Sequence, residues 1–90
     1  MATKPICFDH EGKQIQAEVY YDFEHLSDAV LISTADPKSE LDSIIFFGVA
    51  DKKWVTRSPF KTKFPSTIKN IVQCISEYFE MDEKGHFHVK

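Results

Sequence analysis

The feature that most limits what this chain can fold into is a single change of hydrophobic period. Through the first part of the chain, as far as Thr56, apolar residues recur at alternate positions, and from Ser66 onward they recur every third or fourth. Alternation sends successive side chains to opposite sides of an extended strand, whereas the longer spacing gathers them on one side of a helix. A chain that switches once builds a sheet first and lays a helix on it afterwards.

The clearest strand is "QIQAEVYYDF", in which Ile15, Ala17, Val19 and Tyr21 alternate with Gln14, Gln16, Glu18 and Tyr20. "KPICFD" precedes it across "HEGK", where Gly12 supplies the backbone freedom of a tight turn. "DAVLISTA" is a third strand ended by the turn formers of "DPKS", and "DSIIFFGVA" is a fourth. A turn at "DKK" leads to a short fifth, "WVTR", with Trp54 and Thr56 facing one way and Val55 and Arg57 the other. "SPFKTKFP" reads as an irregular, proline-bounded segment. "STIKNIVQCISEYFE" reads as a helix capped by Ser66 or Thr67, with Ile68, Ile71, Val72, Ile75, Tyr78 and Phe79 forming its apolar stripe.

The predicted fold class is therefore α+β: an antiparallel four- to five-stranded meander sheet followed by one C-terminal helix packed on one face. Residues 1–90 form a single small domain, with 81–90 a loose tail or a short edge strand through Phe87 and Val89.

The fourth strand poses a packing problem, because both of its sides are apolar. Ile44 and Phe46 are expected under the helix with Val19, Ile71 and Ile75. Ile45, Phe47 and Val49 then point away, and one helix covers only one face of a sheet. The cover is strong curling of the sheet, the irregular 58–65 segment or a second copy of the chain, and the second copy is the one expected, with Ile45, Phe47 and Val49 as the dimer face.

Charge is unevenly distributed. Residues 1–51 carry three basic and ten acidic side chains, residues 52–76 six basic and none acidic, and residues 77–90 two and four. The middle block, with Lys52, Lys53, Trp54, Arg57, Phe60, Lys61 and Lys63 as candidate binding residues, can steer a complementary protein surface or a second copy of the chain. Its competing use is binding of single-stranded nucleic acid, with lysines on phosphates and Trp54, Phe60 and Phe64 stacked on bases. The acidic remainder opposes a polyanion, so the protein partner is placed first.

Nothing points to catalysis. No G-x-S-x-G elbow, P-loop or G-x-G-x-x-G turn occurs. Glu18, Asp22, Glu24 and Asp28 read as solubilising acids on or beside a strand, and Cys7 and Cys74 as packing thiols without a disulfide. His10, His25, His86 and His88 match no structural zinc spacing, so neither metal nor other cofactor is expected. The longest apolar runs, "AVLI" and "IIFFGVA", are far shorter than a membrane span, and "MATKPICFDHEG" lacks an apolar signal core. The expectation is a cytoplasmic, non-catalytic protein-binding module that self-associates. An enzyme of unknown reaction and a small-ligand carrier rank below it, the carrier because a core this small has little room for a cavity.

Overall fold

The computed structural model describes residues 2–21, 29–34, 44–56 and 60–90, without the side chains of residues 60 and 61. Asp22, Glu24, His25, Asp28, the "DPKS" turn and Arg57 lie outside the described residues. Strands β1 (Ala2–His10), β2 (Lys13–Tyr21), β3 (Ala29–Thr34), β4 (Ile44–Ala50) and β5 (Lys53–Val55) form one antiparallel sheet in sequential order. Helices α1 (Phe60–Lys63) and α2 (Pro65–Tyr78) follow, and then a hairpin of β6 (Phe79–Met81) and β7 (Phe87–Val89). This is the α+β meander with a C-terminal helix that the change of period predicts.

Two strand connections are two-residue turns that begin and end on paired residues. His10 pairs with Lys13, with Glu11 at φ 54° and Gly12 at φ 83° between them. Ala50 pairs with Lys53, with Asp51 at φ 53° and Lys52 at φ 62°. Positive φ at both central positions is the turn that matches the right-handed twist of its strands. The second turn reaches it without glycine, which places two Cβ atoms in the left-handed region.

The core lies between one face of the sheet and α2. Ile15, Val19, Val30, Ile32, Ile71 and Ile75 are fully buried there. Residues Ile15 to Tyr21 alternate buried and exposed as the glutamines and Glu18 demand. Strand β4 is assigned the other way round from the sequence expectation. Ile45 and Phe47 are 1% and 0% exposed, while Ile44 and Phe46 are 60% and 56% exposed. The cause is register: Ile45 pairs with Ile32 and Phe47 with Val30, the residues of β3 that lie under the helix. Ile45 and Phe47 thus belong to the interior of the single chain rather than to a dimer face, and half-buried Val49 shares their side of the strand.

The end of the chain also differs from expectation. The segment read as irregular contains α1. Phe64 precedes the first turn of α2 without a side-chain cap, and Pro65 takes the position where a missing N–H costs nothing. Ser66 is exposed, and the Thr67 hydroxyl shares a 2.8 Å hydrogen bond with Nδ1 of buried His10. Phe79 lies beyond the helix, in β6, and packs with Trp54, Phe87 and Tyr21 at ring separations of 5.0 to 6.2 Å. Within residues 81–90, Phe87–Val89 form the short strand that the sequence offered as the alternative to a loose tail, paired with β6 and not with the main sheet. The chain turns back through Asp82, whose carboxylate accepts hydrogen bonds from the amides of Lys84 and His86 and meets His88 Nε2 at 2.8 Å.

Candidate interaction surface

A sheet offers a partner two kinds of surface, its edges and its faces. The two-residue turn makes His10 and Lys13 a hydrogen-bonded pair, so the even residues of β1 turn their backbone groups toward β2 and the odd ones turn theirs outward. Pro5, with no N–H to offer, falls among the outward set. Helix α2 meets the outward carbonyls with a ladder of donors. Asn70 Nδ2 donates to Asp9 O at 3.0 Å, Cys74 Sγ to Cys7 O at 3.3 Å, and the Tyr78 hydroxyl to Pro5 O at 2.8 Å. Residues four apart on one flank of a helix thus cover a strand edge at every second residue. The opposite edge, β5, is three residues long and carries exposed Lys53. Short edges and edge lysines both discourage strand addition.

On the face away from α2, Ile44, Phe46 and Val55 are exposed among the described residues, and pairing sets the residues of this open face in rows. Thr3, Tyr20, Leu31 and Phe46 make one row. Pro5, Glu18, Ser33 and Ile44 make the next row toward the β1–β2 turn, and Ala29, Gly48 and Val55 the next toward the β4–β5 turn. Tyr20, Leu31, Phe46, Ile44 and Val55 form an apolar patch across four strands, three of them large and exposed. A hydrogen bond to the Glu18 carboxylate, reinforced by its charge, raises the Tyr20 phenol above its usual pKa.

The described lysines of the basic segment do not gather into one site. Lys52 and Lys53 sit at the β4–β5 turn, where Lys52 lies against Gly85 of the β6–β7 turn. Lys63 and Lys69 belong to the helix start at the other end of the sheet, where Thr67 meets His10 and Asn70 meets Asp9. Trp54 is half-buried among Phe79 and Phe87, and Phe64 is buried edge-on against His10 with the Lys63 ammonium 5.4 Å from its ring centre. Phe64 has no face left for bases, and Trp54 spends part of its ring on Phe79 and Phe87. Arg57 and the side chains of Phe60 and Lys61 fall outside the described residues.

A notch of about 230 Å³ beside the β1 edge is lined by Pro5, Cys7, Gln16, Cys74, Glu77 and Tyr78. It is smaller than the roughly 300–1,000 Å³ of ordinary ligand sites. Burial, and then the charge of Glu77, pushes the Cys74 thiol upward, away from nucleophilic character. Both cysteines are free thiols. Asp82 is held at about 2, first by His88 and then by the His86 amide. That carboxylate already has three partners and organises its hairpin. Among the described residues no three His, Cys, Asp or Glu side chains stand together as metal ligands, and no helix is long and apolar enough to cross a membrane.

No family model, curated protein or solved structure matches the chain. The surface itself carries the functional reading. Sequence reasoning missed two of its parts, the open patch and the Asn70, Cys74, Tyr78 ladder. The signals were present: Gly48 and Ala50 share a side with Ile44 and Phe46, whereas Ile45, Phe47 and Val49 are uniformly large, and the ladder residues are spaced by four.

Proposed function

We propose that the protein is a non-catalytic binding module of the cytoplasm that docks a protein partner on the open face of its sheet. The observation that carries this reading is the exposure of Ile44 and Phe46 on the fourth strand of a five-stranded sheet whose opposite face packs on α2. Isolated exposed apolar residues are common, but a contiguous group across four strands is a recurrent mark of an interaction site. The covered β1 edge and the short β5 edge favour face-on docking over strand addition. Two free thiols accord with a reducing compartment. The separation of the lysines and the packing of Trp54 and Phe64 weigh against the nucleic-acid reading.

Capture from extracts of the source cells tests this, with wild-type protein and Phe46→Glu as baits and Lys63→Glu as a control. A partner retained by the wild type and the control but lost with Phe46→Glu supports the reading. Partners retained equally by all three baits place the binding surface elsewhere.

A further inference from the structure

The open face carries more than an apolar centre, because its charges have a definite arrangement. Next to the patch, the described charged residues are Glu18 on β2 and Lys53 on β5, both exposed, with exposed Asp9 farther out on the same side of β1. The register places Glu18 and Lys53 three strands and three rows apart on opposite sides of the patch. With strands about 4.8 Å apart and a rise near 3.4 Å per residue, they are separated by roughly 25 Å. The midpoint between them falls within the quadrilateral of Ala29, Leu31, Phe46 and Gly48, at the heart of the apolar patch. Among the described residues Lys53 meets no carboxylate.

A surface with an apolar centre and opposite charges at equal distances on either side of it is complementary to itself. A two-fold axis through that midpoint, lying in the interface at right angles to the Glu18–Lys53 line, exchanges the two positions. Each Glu18 then faces the Lys53 of the other copy while the two apolar centres meet. We infer that the occupant of the open face is a second copy of this chain, packed sheet on sheet about this axis. The inference rests on the reading of that face as a docking surface and adds the partner and the symmetry.

Area and shape agree with it. The molecule measures 36 × 24 × 18 Å. Its broad side is of the order of the about 800 Å² that each partner buries in a standard interface. Ala29 and Gly48, beside the axis, are small residues next to the larger Phe46 and Leu31, the kind of size alternation that interdigitating sheet faces require.

Sedimentation equilibrium on the full chain tests the inference, with Phe46→Glu, Glu18→Lys, Lys53→Glu and the double reversal Glu18→Lys/Lys53→Glu. The expected results are a wild-type dimer, a monomeric Phe46→Glu, and single reversals that each weaken dimerisation about tenfold, since each places like charges opposite one another at two contacts. The double reversal recovers affinity to within about threefold of wild type, because both contacts are restored with their signs exchanged. Val55→Lys serves in place of Phe46→Glu if that variant does not fold by circular dichroism. A wild type that stays monomeric at millimolar concentration overturns the second copy as occupant, while the capture experiment still decides whether the face binds another protein. A dimer that survives Phe46→Glu and Val55→Lys puts the contact elsewhere. A dimer that Phe46→Glu breaks but the double reversal does not restore refutes the two-fold arrangement alone.

Discussion

Ile44 and Ile45 are adjacent isoleucines of one strand on opposite sides of the sheet, which makes them a matched pair for testing which face α2 covers. Replacing either with alanine removes the same atoms and forfeits a similar strand preference, worth at most about 1 kcal/mol. Burial is what differs: Ile45 is 1% exposed and Ile44 60%. Truncating Ile45 withdraws three buried carbon groups at about 0.8 kcal/mol each, roughly 2.4 kcal/mol before any cavity is counted. The cavity, closed in by Ile32 on the paired strand, takes the expected loss into the range of about 2 to 5 kcal/mol. Ile44→Ala has little left to lose and opens no cavity, so about 1 kcal/mol or less is expected. Urea unfolding with equal slopes gives the difference directly, at concentrations low enough that any dimer is dissociated. In thermal melts Ile45→Ala falls by roughly 10 °C or more, at about 4–8 °C per kcal/mol for a domain of this size. Equal losses, or a larger loss at Ile44, would invert the assignment of the faces.

Thr67→Val keeps the shape of the side chain but leaves buried His10 without its 2.8 Å partner, and a loss of about 1 to 3 kcal/mol in urea unfolding is expected. A loss below about 0.5 kcal/mol would mean that water or another group replaces the hydroxyl. The folded-state pKa of Asp82 is depressed to about 2 from the usual carboxylate value near 3.9, so its contribution to stability is complete above the higher value and disappears as the pH falls through the lower. The stability gap between wild type and Asp82→Asn should therefore narrow between about pH 4 and about pH 2, and a gap that is constant there contradicts the role given to this carboxylate. Lys52→Gly relieves a side chain held at φ 62° and is expected to stabilise the protein by about 0.5 to 1 kcal/mol, and a net loss would show that packing of the lysine stem on Gly85 outweighs the backbone strain.

Where polar residues punctuate the pattern, the sequence is sufficient. Gln14, Gln16 and Glu18 mark the outer side of β2, and Ile71 and Ile75 mark the inner side of α2, because a buried unpaired amide or carboxylate is costly enough to settle the orientation. Strand β4 lacks such punctuation from Ile44 to Phe47. Its facing is decided by which residues of β3 it pairs with, a long-range choice that local alternation does not encode. The described lysines of the basic segment are separated for a related reason. Lys52 and Lys63 are near neighbours in sequence but lie at opposite ends of the sheet. The β6–β7 hairpin depends on the three bonds of Asp82 and on the burial of Phe79 and Phe87, and in strands of three residues the period is too brief to read.

The most direct test of the open face is a dilution series followed by methyl and aromatic NMR. Resonances of Ile44, Leu31, Val55 and the Phe46 ring should shift together with protein concentration on a single binding isotherm, while those of Ile45, Val30 and Ile75 on the covered face stay fixed. Shifts confined to residues outside the patch, or none across a hundredfold range reaching millimolar concentration, would contradict the claim that a second copy docks on this face.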